Sequence, residues 1–154
     1  MIAILVDADA CPVKDEVYAV ATRYGLAVAV VSNTPISVPR GAGAQLVVVG
    51  REPDAADDWI AEQAERGDVV VTADIPLAAR CLAAGARALR PDGRVFDEGM
   101  IGDALATRQL MSELRDLGAV SGGPKPLADK DRARFAAQLD KMVQAGLREE
   151  DEAP

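Results

Sequence analysis

Five short apolar runs, at 2–6, 27–31, 45–49, 69–72 and 86–89, constrain this chain more than any other feature. They are rich in valine and nearly continuous, without the alternation of polar and apolar residues that a half-wet strand shows. A strand covered on both faces needs apolar side chains in both directions, the condition of a parallel sheet held between helical layers. Helical patterns separate most of the runs. Val13, Val17, Val20, Ala21 and Tyr24 share one helical face, with Pro12 placed to open the helix, Cys11 to cap it and Gly25 to close it. A second helix is expected from about 55 to 66, closed by Gly67, and a third from 75 to 84, closed by Gly85. Strand alternating with helix predicts an α/β fold with right-handed crossovers.

The exceptions lie in two places. The stretch "SNTPISVPRGAGA" at 32–44 is rich in Pro, Gly and Ser and reads as an irregular connection. From about Gly99 no strand signal returns. Ile101, Leu105, Met111, Leu114 and Leu117 suggest a helix ending at Gly118, and Phe135, Leu139 and Met142 mark another beyond a "SGGPKP" loop. We therefore expect a single domain over 1–146, its helical extension starting near 99, followed by an acidic flexible tail at 147–154.

Composition narrows the chemistry. The chain has 25 Asp and Glu against 17 Lys and Arg, and no histidine. Without histidine, His-based triads, His general bases and most zinc sites are excluded. A net charge of −8 opposes broad electrostatic adhesion to nucleic acid, while leaving room for an acidic pocket with a few local arginines. The two cysteines, Cys11 and Cys81, sit in no CxxC pair, so neither a disulfide framework nor a zinc knuckle is expected. No run is long enough for a membrane span and no basic leader precedes one, so a cytoplasmic protein without a membrane partner is expected.

Acids recur where strands end. Ligands of an open parallel sheet bind outside the carboxyl ends of its strands, and Asp7 and Asp9 follow the first run while Asp74 follows the fourth. All three can also be read as helix caps. Pro12 at the first helical position argues against this for Asp7 and Asp9, because it makes Cys11 the cap. For Asp74 the capping role stays open, since Ile75 and Pro76 can form a first turn. In "PDAADDWIAEQ", Asp54 has the position of an ordinary N-cap. Asp57 shares a helical face with Ile60, Ala61 and Ala64, whereas Asp58 belongs with Glu62 and Glu65 on the wet face. Asp57 can thus point inward, or else serve only as a favourable charge at a helix N-terminus. Carboxylates gathered together need a counter-charge. Oxygen-only donors point to Mg²⁺ or Mn²⁺, and the chemistry that fits is metal-assisted attack of water on a phosphodiester.

The segments "VDADACPVKDEV", "DAADDWI", "GDVVVTADIPLAARCLAAG" and "TRQLMSELRDLGAVSGGPKPLADKDRARFAAQLD" resemble the bacterial YaiI/YqxD family, whose biochemical role is undefined and whose fold is similar to that of PIN-domain nucleases. The resemblance covers the chain to about Gly146. It implies a three-layer, mostly parallel PIN-like sheet flanked by helices with a helical C-terminal extension. It also implies that Asp7, Asp57 and Asp74 match the acids PIN domains place after the first strand, in a middle helix and in a T-x-D turn, with Asp9 as an additional acid. The implied function is a divalent-metal-dependent nuclease acting on single-stranded nucleic acid, RNA before DNA. Pro76 and Leu77 depart from the further acid or asparagine many PIN domains carry nearby. Lys14, Arg108 and Arg115 are candidates for phosphate contact, the last two on one helical face, against the alternative of a solvated basic face. Arg87, Arg90 and Arg94 could line a local basic groove.

Three other classes compete. A non-catalytic regulatory or RNA-associated module would keep the scaffold and the metal site with little turnover, and the acidic balance favours it. A HAD-type phosphatase is suggested by "LVDAD" and "VVSN", but Pro12 starts a helix where that fold needs a loop and flap, and no GDxxxD follows. A thiol enzyme built on Cys11 lacks a histidine base and faces two nearby acids that raise the thiol pKa.

Overall fold

The computed structural model describes residues 1–8, 11–39, 43–99, 101–102 and 127–152. The strands are β1 (Ala3–Asp7), β2 (Ala27–Ser32), β3 (Ala44–Val48), β4 (Val69–Val71) and β5 (Arg87–Leu89). All are parallel, in the order β3-β2-β1-β4-β5. Each lies within one residue, at either end, of a run expected to form it. Four helices lie wholly within the described residues: α1 (Lys14–Tyr24), α2 (Ala55–Gln63), α3 (Ile75–Ala83) and α4 (Asp129–Glu152). The protein is thus an α/β structure of three layers.

Strand alternation sorts the core into those layers. Ile4, Val6, Val28, Val30, Val69 and Val71 face α1 and α4, where Val13, Val17, Phe135, Leu139 and Val143 complete one buried cluster. Leu5, Val31 and Val70 face the other way and meet Ile60 of α2 with Leu77 and Cys81 of α3. A smaller cluster of Ala78, Ala88, Phe96 and Ile101 closes the β5 side. The chain leaves β1 toward β2 and β3, then returns to place β4 on the opposite side of β1. The carboxyl ends of β1 and β4 therefore flank the topological switch, where an open sheet leaves a crevice.

Three element ends differ from expectation, each for a local reason. The first helix begins at Lys14, with Val13 at the N-cap position and no side-chain cap, so Cys11 is not the cap and Pro12 lies in the preceding turn. The Pro12 carbonyl accepts from Arg132 Nη1 at 2.7 Å, outside the helical ladder. The second helix stops at Gln63 instead of near Arg66, because buried Asp68 accepts from the Glu65 N–H (3.0 Å) and from Ala3 N (2.9 Å), drawing the chain into a turn. The last helix does not break near Leu147. It continues to Glu152, with Leu147 against the core and ion pairs from Glu149 to Arg87 and from Glu150 to the N-terminal amine. The helix expected over Ile101–Leu117 lies, beyond Gly102, outside the described residues.

α4 runs along one face of the sheet from its carboxyl edge to its amino edge. Its first turns reach the carboxyl edge, where a Cβ on Gly93 would come within 2.7 Å of Phe135 N. Its far end lies at the amino edge, where Gly146 packs so closely that a Cβ would stand 2.6 Å from Gly67 O. Between them Asp140 accepts from Tyr24 Oη at 2.7 Å and pairs with Arg23, joining α4 to α1.

Candidate functional site

Asp7 ends β1 in register with Val31, so alternation turns it toward the face that α2 and α3 cover. Thr72, one residue past β4, is buried and directed the same way. Its hydroxyl donates to Asp7 Oδ2 at 3.0 Å and accepts the Asp74 N–H at 3.0 Å. A single threonine thus ties the ends of the two central strands and fixes one oxygen of Asp7.

Asp74 caps α3. Its Oδ1 accepts from Leu77 N at 2.9 Å, while Pro76 occupies the first turn, where it has no N–H to lose. Capping uses one oxygen and leaves the other for a second role. Asp57 lies in the first turn of α2, half-buried, above the face that carries Asp7. Its carboxyl is pushed up to about 6, first by burial and then by the negative charges of Asp74, Asp7 and Asp54, against an opposing effect from Arg80. These mutual influences place Asp57, Asp74 and Asp7 in one electrostatic neighbourhood.

The flanking acids divide as the helical pattern suggests, with one difference. Asp58 is exposed and accepts from Arg80 Nη1 at 2.8 Å. Asp54 holds the N-cap position of α2, yet its side chain makes no capping bond. Lys14 opens α1, half-buried, with its charge felt by Cys11. Asp9, Arg108 and Arg115 lie outside the described residues.

The basic groove does not form. Arg87 sits at the amino edge and pairs with Glu149, while Arg90 and Arg94 both turn to Asp92, at 3.2 and 3.7 Å. Sequence reasoning missed Arg80 as the cation beside Asp57. A signal was present, since Asp58 and Arg80 fall on the facing sides of two helices that pack on the same sheet face. It also left Thr72 as a strand residue, although a hydroxyl between two acid-bearing strand ends is what such an edge requires.

Cys11 and Cys81 are both buried free thiols. Burial raises Cys11, and raises Cys81 to about 11, so both are held protonated and unsuited to nucleophilic chemistry at neutral pH.

The donor set fits a hard cation in kind, being carboxylate and hydroxyl oxygen. Among the described residues, however, no three His, Cys, Asp or Glu side chains form a group that could hold a metal ion. A Mg²⁺-type ion is held by as few as one or two carboxylates when water and substrate oxygens complete its shell, and the candidates for that role here are Asp7, Asp57 and Asp74.

Thr72→Val keeps the shape of this junction and removes its hydroxyl, leaving the Asp74 N–H without its acceptor. We expect a loss of about 1–3 kcal/mol, measured by denaturant or thermal unfolding, with Thr72→Ser losing less.

A three-layer parallel α/β protein whose Thr72 links Asp7 to the backbone of Asp74 at the switch point is the class these features define. The chain belongs to the YaiI/YqxD family, described as uncharacterised, whose sequence model matches residues 5–145. It is 58% identical over 142 residues to a UPF0178 protein of Azorhizobium caulinodans, covering 92% of this chain and 89% of that one. A UPF0178 protein of Paramagnetospirillum magneticum is 53% identical over 148 residues, covering 96% and 98%. One from Brucella ovis is 56% identical over 143 residues, covering 92% and 89%. No solved structure matches significantly. No helix among the described residues is long and apolar enough to cross a membrane.

Proposed function

We propose that the protein is a divalent-metal-dependent phosphodiesterase of PIN-like type that acts on single-stranded nucleic acid, with Asp7, Asp57 and Asp74 as its acids and Asp9 as a fourth candidate. The observation that supports this reading is the junction at the switch point, where Thr72 joins the Asp7 carboxylate to the Asp74 N–H and Asp57 is raised by burial first and then by the charges of Asp74 and Asp7. Bound Mg²⁺ or Mn²⁺ would supply a Lewis acid for the phosphoryl oxygens and an activated water. The chain's own residues supply orientation. Thr72 holds one Asp7 oxygen, the α3 N-terminus holds one Asp74 oxygen, and both carboxylates are thereby aimed before any ligand arrives. Arg80, exposed beside Asp57, is suited to meet a phosphate at the rim.

The test is cleavage of labelled single-stranded RNA and of single-stranded DNA, in Mn²⁺ and in Mg²⁺, with and without EDTA. We expect Mn²⁺-dependent cleavage of RNA, abolished by EDTA and lowered about 10²–10³-fold by Asp74→Asn, which keeps the cap but weakens the anionic site. Metal binding without cleavage would favour the non-catalytic module, a reading that the net charge of −8 supports. Wild type and Asp74→Asn responding identically to Mn²⁺ would remove Asp74 from the site.

A further inference from the structure

We propose that Arg132 is a positioning residue: from the first turn of α4 it clamps Pro12 and the start of α1, and so steadies the chain that follows Asp7 of the proposed acidic site. This inference rests on that site reading for its functional meaning, while the clamp itself rests on geometry. Arg132 Nη1 donates to the Pro12 carbonyl at 2.7 Å across 120 positions of sequence. The same nitrogen lies 3.6 Å from Glu16 Oε1. One guanidinium therefore spans the last residues of the turn and the first turn of α1.

The placement runs against the local helix dipoles. Arg132 lies in the first turn of α4 and beside the first turn of α1, both positive ends where an arginine is disfavoured. Only specific contacts offset that cost, and the Pro12 carbonyl and the Glu16 carboxylate provide them. Glu16 depends on this cation in turn, because its other oxygen, Oε2, is buried without a hydrogen-bond partner among the described residues.

The turn being clamped leads directly from Asp7. Ala8 and Cys11 within it are buried, and Cys11 N donates to Ala8 O at 3.4 Å. α1 begins only at Lys14. α4 adds a constraint from outside, through Arg132 on the Pro12 carbonyl. Packing of the Gly93 turn against Arg134 and Phe135 keeps the first turns of α4 at this edge.

The test uses the full-length chain with Arg132→Ala, Arg132→Lys and, as a control for loss of one exposed positive charge on the same helical turn, Lys130→Ala. The first readout needs no metal. Cys11 in the turn and Cys81 in the opposite core cluster are both buried, so alkylation of Cys11 reports opening of the turn, and Cys81 reports global unfolding. We expect Arg132→Ala to speed alkylation of Cys11 about tenfold with Cys81 unchanged, and Arg132→Lys, which retains a donor for the carbonyl, to restore most of the protection. The second readout is Mn²⁺ affinity well below the melting temperature. Arg132→Ala should weaken it roughly tenfold, as loss of a supporting contact behind metal ligands commonly does, with KM for nucleic acid little changed. Equal alkylation of Cys11 in Arg132→Ala and Lys130→Ala overturns the clamp. A faster Cys11 reaction with unchanged Mn²⁺ affinity overturns the link to the site. A wild type indifferent to Mn²⁺, with Cys11 still released by Arg132→Ala, supports the clamp and overturns the proposed function instead.

Discussion

Asp57→Asn should make the metal-free protein more stable at pH 7, by about 1–2 kcal/mol. Its carboxyl is pushed up to about 6 from an ordinary value of 3.8. Below the ordinary value both folded and unfolded chains hold the proton, and Asp57 costs nothing. Between about 4 and 6 the folded protein still holds a proton that the unfolded chain has released, so stability falls as pH rises through that window. Above about 6 the full penalty is present. Unscreened, the shift would amount to about 3 kcal/mol, and solvent around a half-buried carboxylate reduces it to the smaller figure. At about 2–4 °C per kcal/mol for a chain of this size, the variant should melt some 2–8 °C higher at pH 7 and no higher at pH 4. A gain independent of pH would mean that burial and its neighbours do not hold the proton on Asp57.

The same substitution should have the opposite sign once a divalent cation is added. Binding to the folded state alone stabilises it by about 2.7 kcal/mol at a hundredfold excess over Kd. Wild type should gain that increment and release a proton from Asp57 as it does so, near pH 6. The variant should gain less and release none. The crossing of the two stability curves with Mn²⁺ concentration separates a ligand-binding carboxylate from a charge that merely favours the α2 N-terminus, because the latter gives parallel curves.

How much of this was legible beforehand depended on the range of the interaction. The strands were readable because burial on both faces leaves a local mark, the valine-rich runs. Asp57 and Asp58 were separable because helical spacing alone assigns their faces. Asp74 was ambiguous in sequence because a cap and a site acid occupy the same position, and the structure shows the cap, made through one of its two oxygens. The starts and stops of helices were less legible. Pro12 looks like a first helical residue until Arg132, far away in sequence, takes its carbonyl. Gln63 ends α2 because Asp68 captures the Glu65 amide, a competition that helix periodicity does not encode. Thr72 and Arg80 matter through partners on other elements, and such pairings become visible only when the strand order is known.

Phe135→Ala should produce the largest loss of stability, and it tests whether the C-terminal helix belongs to the same cooperative unit as the sheet. Phe135 is fully buried and is the largest side chain α4 contributes to the cluster it shares with β1 and α1. Truncation removes its ring from water-free packing and leaves a cavity between helix and sheet, costing about 3–5 kcal/mol. This corresponds to a melting temperature lower by roughly 6–20 °C. The single tryptophan, Trp59, packs with the other core cluster, on the face α2 and α3 cover, and so reports that layer independently of α4. Far-ultraviolet circular dichroism follows all helices together. If α4 is integral, both signals should fall in one transition in wild type and in the variant, only at lower temperature. If α4 is an appendage, the variant should lose helical signal first while Trp59 keeps its native emission. The integral outcome is expected because the sheet has no substitute for α4: without Phe135, Leu139 and Val143 the inward faces of Ile4, Val6, Val69 and Val71 would meet water. A sheet whose β1 and β4 are both stripped on one face cannot hold Asp7 and Thr72 in register at its carboxyl edge.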